Sequence, residues 1–244
     1  MSFSSKIFSN KAQLNRIVDI LTGYMKLSLS DDVIPGSFME KVVATIHDGA
    51  VLKTYEFIDV VNRKNGVAWQ VKSTKKNTPL TWKRVKIRGA ASLIDKSKHE
   101  VHGLQQLGNL IIEHCNDHCI ESMTKYNLRE VGYARLIVEK TELIYFERVL
   151  CTKKNPMLFD RTKFRWEWSD PYKSTKKEYL PALHGMHVDS GEKWFAWFGQ
   201  GENQLHFHGE SVWRTDPNTS ILTFPTPSLY LDIAQQMKLL ENLK

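Results

Sequence analysis

The stretch from Val101 to Lys125 most constrains what this chain can fold into. Leu104, Ile111, Ile112, Cys115, Cys119 and Met123 recur near one face at helical spacing, which predicts one long helix. On both sides of it the apolar period shortens to that of a strand. Upstream, Tyr55 to Val61 and Val67 to Ser73 are rich in β-formers and flank Asn62-Arg63-Lys64-Asn65-Gly66, whose Asn-Gly pair is a strong turn signal. Downstream, Val131 to Val138 and Leu143 to Leu150 flank Glu139-Lys140-Thr141-Glu142 and read as a second hairpin or meander. A long helix set between paired strands must bury its apolar stripe on a sheet, so the fold class expected is α/β or α+β.

Two shorter helices precede the first hairpin. Leu14, Ile17, Val18, Leu21 and Met25 form one apolar stripe, ended by the turn cluster Ser28 to Asp32. Pro35-Gly36-Ser37 then opens a second helix with Met39, Val42, Val43 and Ile46 as its face, closing near Gly49. Ser37 followed by Glu40 has the spacing of a capping box. Beyond Leu150 the composition turns to aromatics, Pro and Gly, with Trp166, Trp168, Trp194, Trp197 and Trp213 among short strand-like pieces, and a last helix is expected over Leu229 to Leu243. The organisation expected is a core over residues 1–150 and a β-rich region over 151–244, which no obvious linker separates into a second domain.

At 244 residues, 41% hydrophobic and 25% charged, the chain has the composition of a globular protein with a substantial core. No apolar run approaches the ~18 residues of a membrane span. The first ten residues lack an apolar segment followed by a cleavage site, and three cysteines give no disulfide framework, so a cytoplasmic protein is expected. The net charge of +7 is concentrated: Val51 to Glu100 holds twelve basic residues against four acidic ones, a local excess of +8. The remainder is therefore close to neutral, and an anionic partner should dock on the surface that this fifth of the chain builds.

That same fifth carries a constellation suited to phosphodiester hydrolysis. Asp59 lies on the first strand of the hairpin and Gln70-Val71-Lys72 on the second, where alternation places Gln70 and Lys72 on one face. A carboxylate, a side-chain oxygen and the Val71 carbonyl can hold a hard cation while the Lys72 ammonium sits beside an attacking water. The triplet by itself is uninformative, since Gln236-Met237-Lys238 repeats it within the expected C-terminal helix. Its setting on paired strands within a basic segment is what discriminates.

These residues resemble the PD-(D/E)xK nuclease superfamily, whose mark is an Asp, a strand-turn-strand of this length and an acidic-x-Lys triplet on the second strand. The resemblance covers Ser37 to Arg88. It departs at Gln70, which stands where the acidic residue usually is and which some nucleases of the superfamily also carry, and at Ile58, which replaces a frequent Pro. Glu40, nineteen residues before Asp59, matches a Glu that an upstream helix often contributes. The resemblance implies a restriction-endonuclease-like mixed central sheet flanked by helices. It also implies catalysis by Asp59, Gln70, Lys72 and Glu40, with Mg²⁺ held by Asp59, Gln70 and the Val71 carbonyl and Mn²⁺ able to replace it. The function implied is that of a type II restriction enzyme cutting double-stranded DNA, as a homodimer or a monomer. A structure-dependent repair or recombination nuclease, and a non-catalytic DNA-binding protein, are the alternatives.

Around this centre, Lys75, Lys76, Lys83, Arg84, Lys86 and Arg88 are the expected phosphate contacts, the last three forming a stripe on an extended Trp82 to Arg88. Gln200, Asn203, Gln204 and Arg214 are of types that contact base edges. His114-Cys115 and His118-Cys119 share a helix face, yet the cysteines continue its apolar side and are expected in the core rather than on zinc. His184, His187, His206 and His208 alternate on strand-like segments and suit either a metal or bases.

Overall fold

The computed structural model describes residues 5–27, 33–53, 56–76, 78–173, 178–179, 181–199, 203–227, 231–232 and 234–235. They form five α-helices, a six-stranded sheet, a five-stranded sheet and a small two-stranded one, a mixed α+β architecture. The elements fall into two compact units that interleave along the chain. One comprises residues 1–78, 123–153 and 217–244, the other residues 79–122 and 154–216. Residue 150 lies near one of the crossing points, but each half of the chain contributes to both units.

In the first unit, α1 (Lys11–Met25) and α2 (Gly36–Ile46) precede β1 (Ala50–Val51), β2 (Val60–Asn62) and β3 (Val67–Lys75); β5 (Glu130–Val138), β6 (Glu142–Thr152) and β13 (Thr219–Pro225) complete the sheet. Its order is β1-β2-β3-β5-β6-β13, antiparallel throughout except that β3 and β5 run parallel from Val67↔Glu130 to Lys75↔Val138. Parallel neighbours require a long crossover, supplied by everything between Lys75 and Glu130. The expected hairpins are both present, β2–β3 and β5–β6, and Gly66 closes the first turn at φ +61, a conformation that suits glycine.

Helix α1 starts where Asn10 and Gln13 cap each other's backbone amides, at 3.0 and 2.9 Å, and it buries Ile17, Leu21 and Met25. These meet Met39, Val42, Val43 and Ile46 of α2 and Val67, Trp69 and Val71 of β3 in one apolar cluster. Alternation then puts Ala68, Gln70 and Lys72 on the opposite face of β3. The segment before α1 is packed down: Ile7 is fully buried, and a side chain at Gly132 would strike it, an added Cβ lying 2.4 Å from Ile7 Cγ2.

The second unit holds β4 (Leu80–Arg84), α3 (Ala90–His99), α4 (Val101–Lys125) up to its last turn, β7 (Phe164–Trp168), β8 (Tyr172–Lys173), β9 (Glu178–Tyr179), β10 (Leu183–His187), β11 (Lys193–Phe198), β12 (Gln204–Phe207) and α5 (Glu210–Thr215). Its sheet runs β4-β12-β11-β10-β7, all antiparallel. The aromatic run forms its core: Trp82, Phe159, Trp166, Phe195, Trp197 and Phe207 are buried, Trp82, Phe159, Phe195 and Phe207 meeting as tilted or edge-on rings and Trp166 stacking on Phe195. Cys115 and Cys119 are fully buried, as the apolar face of α4 requires, and burial pushes the Cys115 thiol up to about 12. The helix expected over Leu229 to Leu243, with Gln236-Met237-Lys238, lies mostly outside the described residues, of which Ala234 and Gln235 are helical.

Candidate active site

Glu40, Asp59, Gln70 and Lys72 come together in the first unit, supplied by α2, the entry to β2 and the middle of β3. Asp59 sits immediately before β2, and hydrogen bonds of its backbone and its carboxylate tie it to the neighbouring strands. Its amide donates to the Trp69 carbonyl at 2.9 Å, its carbonyl accepts from Leu52 at 2.8 Å, and its Oδ2 accepts from the Val71 amide at 2.7 Å. The carboxylate thus takes the place of a ladder acceptor where β2 has not yet begun, directly beside the Gln70-Val71-Lys72 triplet.

Glu40 reaches the same place from α2. The capping box expected of Ser37 and Glu40 is not formed: α2 opens with Pro35 at the N-cap and makes no side-chain cap bond there. Pro35 brings a φ already suited to a helix start, which moves the first turn upstream and leaves Ser37 inside it. The Glu40 carboxylate, half-buried, is therefore not spent on capping. Its pKa is raised above the ordinary value of 4.5, first by burial and then by the negative charge of Asp59, while the positive charge of Lys72 opposes the shift. Two carboxylates and an ammonium from three elements thus lie within electrostatic reach of one another. Gln70 is 3% exposed and Lys72 half-exposed.

Among the described residues no cluster of three or more His, Cys, Asp or Glu side chains is placed to hold a metal. The donors present are two carboxylates, an amide oxygen and the Val71 carbonyl, all oxygen and all suited to a hard divalent cation rather than to zinc or copper.

Sequence reasoning missed Arg135, the register neighbour of Lys72 on β5. It is 3% exposed and donates to Thr74 Oγ1 at 2.8 Å and to the Leu136 carbonyl. A lone arginine in the strand Val131-Gly132-Tyr133-Ala134-Arg135-Leu136-Ile137-Val138 is the signal that could have found it. Also missed was Glu147, fully buried, whose carboxylate accepts from the Ser9 amide and hydroxyl at 2.7 Å each and from the Tyr145 hydroxyl at 2.6 Å, with His47 Nε2 at 3.2 Å. This network ties the segment before α1 to β6.

The expected phosphate contacts divide between the units. Lys75 and Lys76 are exposed at the end of β3, where the Lys76 ammonium pairs with Glu139 at 2.6 Å. In the second unit Arg84, Lys86 and Arg88 are all exposed while Val85 is buried, but the strand ends at Arg84, so the extended run expected over Trp82 to Arg88 is strand only at its start. Lys83 is half-buried. Of the expected base readers, Asn203 and Gln204 lie at the start of β12 and Arg214 in α5. Gln204 Oε1 accepts from Thr81 at 3.4 Å and lies 3.1 Å from His206 Nε2, and Gln200 is outside the described residues. His184, Ala196 and His206 are register neighbours across three strands. The pKa of His208 is lowered to about 4 by burial, Lys193, His206 and His184.

No protein family, curated protein or solved structure matches the chain in comparisons with each. No helix among the described residues is long and apolar enough to cross a membrane.

Proposed function

We propose that the chain is a metal-dependent DNA endonuclease that hydrolyses phosphodiester bonds, working as a restriction enzyme of the PD-(D/E)xK kind. The observation that carries this reading is the convergence of Glu40, Asp59 and Lys72, electrostatically coupled at the Glu40 carboxyl, beside a Gln70 that completes an oxygen-donor set. The order of elements supports it too: a helix bearing the Glu, a strand-turn-strand bearing Asp59 and Gln70-Val71-Lys72, then a crossover to a parallel strand in a mixed sheet.

Asp59, Gln70 and the Val71 carbonyl are the groups that would hold Mg²⁺ or Mn²⁺, and the bound cation would supply charge stabilisation for the phosphoryl oxygens and a more acidic water. The chain's own residues do the rest. The Val71 amide fixes the Asp59 carboxylate. Glu40, with its raised proton affinity, accepts a proton from the attacking water. The Lys72 ammonium orients that water and offsets the negative charge that builds up as its oxygen bonds to phosphorus and the bond to the leaving oxygen breaks. The local basic excess from Lys53 to Lys98 supplies the attraction for DNA.

A digest of a long mixed-sequence duplex with Mg²⁺, followed by sequencing of the ends, tests the reading. Discrete fragments that vanish with EDTA and with Lys72→Ala are expected. Cleavage without sequence preference, or at branched structures alone, would instead indicate a repair or recombination nuclease. EDTA-insensitive binding without cutting would leave a non-catalytic DNA-binding protein. Gln70→Glu should keep activity and shift the Mg²⁺ to Mn²⁺ preference, whereas equal activity of Gln70→Ala and wild type across a metal titration would remove Gln70 from the cation's ligands.

A further inference from the structure

We propose that Ser73 is a positioning residue for Glu40: its hydroxyl fastens the start of α2 to β3 beside Lys72 and so sets where the helix delivers that carboxylate. The proposal rests on the nuclease reading above and names a residue that the nuclease motif does not contain.

Ser73 follows Lys72 directly and, by alternation, stands on the opposite face of β3, the face of Val67, Trp69 and Val71 that packs with α2. Its Oγ donates to the Ile34 carbonyl at 2.6 Å. Ile34 is 1% exposed and precedes the Pro35 N-cap, and the helix's own ladder starts one residue later, with the Phe38 and Met39 amides both donating to the Pro35 carbonyl at 3.0 Å. The Ile34 carbonyl is therefore a buried acceptor just outside the helix, and a buried acceptor needs a donor from elsewhere in the fold. Ser73 provides it. The far end of α2 is fastened in the same way: Asn62 Nδ2, from the end of β2, donates to the carbonyl of the His47 C-cap at 2.7 Å. Ile34 lies six residues before Glu40 and His47 seven after it, so the helix is tied to the β2–β3 hairpin on both sides of Glu40.

The apolar and polar contacts do different things. Met39, Val42, Val43 and Ile46 hold α2 against the sheet by apolar burial, which has no direction and tolerates a small slide along the helix axis or a turn about it. A hydrogen bond fixes the distance between two atoms. Ser73 is a cleaner probe of this fastening than Asn62, which also accepts from the Asn65 amide at 2.9 Å within the turn, so that its loss disturbs the hairpin itself. A shift of about 1 Å in a reacting group is enough to lower a rate ~10²-fold, so freeing the start of α2 should act on the chemical step and not on DNA binding.

The test measures single-turnover cleavage of a mixed-sequence duplex in Mg²⁺, affinity for the same duplex in Ca²⁺, and thermal melting. Ser73→Ala should cut roughly ten- to a hundredfold more slowly at unchanged affinity. Ser73→Thr, which keeps the hydroxyl, should recover the rate, and Ser73→Ala should cost nothing further in a Glu40→Gln background. If Ser73→Ala does not fold, Ser73→Cys, a weak donor of similar shape, takes its place. A variant that melts lower yet cuts at the wild-type rate, a loss that appears equally in affinity, no recovery with threonine, or a loss of the same size in Glu40→Gln overturns the positioning role and leaves the nuclease reading standing. Wild-type cleavage by Glu40→Gln overturns the role as well, and leaves the reading to Asp59 and Lys72. Should Glu40→Gln cut too slowly to time, the split between rate and affinity and the threonine recovery decide. Wild type that cuts no DNA in Mg²⁺ or Mn²⁺ overturns the nuclease reading and the positioning role together.

Discussion

The Val71 amide donates to Asp59 Oδ2 across 2.7 Å, so a candidate catalytic carboxylate also completes the hydrogen bonding of the strand that carries Gln70 and Lys72. Structural and chemical roles can be separated by comparing Asp59→Asn with Asp59→Ala. Both remove the charge and should lower cleavage by several orders of magnitude. Only the alanine leaves the Val71 amide without an acceptor, so it should be less stable than the asparagine by about 1–2 kcal/mol in urea unfolding. Equal stabilities would show that the bond contributes nothing.

Glu40 gives a pH signature. Its pKa is raised in the folded protein above 4.5, so the folded state binds the proton more tightly than the unfolded chain. The associated stability is fully present below 4.5 and is lost as pH rises through the folded-state value. Metal-free Glu40→Gln should therefore melt higher than wild type at neutral pH, the two converging below 4.5. Added Mg²⁺ should raise the wild-type melting temperature more than that of the variant. Thermal melts across this range with and without Mg²⁺ check both halves of the prediction.

The exposed stripe is tested by salt. Replacing Arg84, Lys86 and Arg88 together with alanine should lower the slope of log affinity against log salt by about three, at ~0.9 per phosphate contact. Specific and non-specific DNA should weaken alike. A slope unchanged in Ca²⁺ would make the stripe a solvated surface.

Glu147 is the stability prediction. With its carboxylate fully buried among Ser9, Tyr145 and His47, Glu147→Ala leaves those donors unanswered and should cost about 3–5 kcal/mol. Tyr145→Phe removes one donor to a charged acceptor and should cost about 1.5–3 kcal/mol. Chemical denaturation of both variants supplies the numbers, and a loss under 1 kcal/mol for Glu147→Ala would mean the network is not a stabilising clasp.

Local patterns were readable wherever one short-range cause dominates. The apolar period of Val101 to Lys125 marks α4 to its observed ends, and Asn65-Gly66 fixes the turn that pairs Asp59 with the Gln70-Val71-Lys72 strand. The cap of α2 is ambiguous in sequence because Pro35 and Ser37 both mark helix starts, and proline's fixed φ prevails. Non-local features left no such trace. Nothing near Lys75 announces that its strand will lie parallel to one beginning at Glu130, and nothing near Trp82 announces a bulge created by the register of β12. Arg135 and Glu147 look like surface charges in sequence and become buried only through the partners that the finished sheet gives them.

The interleaving of the two units governs how the molecule can be made. Strand β13, paired with β6 from Thr219↔Arg148 to Pro225↔Glu142, closes the sheet that carries Asp59 and Lys72, yet it is synthesised after the whole of the second unit. On the ribosome β6 must therefore wait as an open edge until that insertion has emerged, a period in which it could pair with another chain. A fragment ending at residue 150 would keep that edge permanently. It would also carry the strand and helices of residues 79–122 without the strands that complete their sheet, so it should aggregate rather than fold as a minimal nuclease.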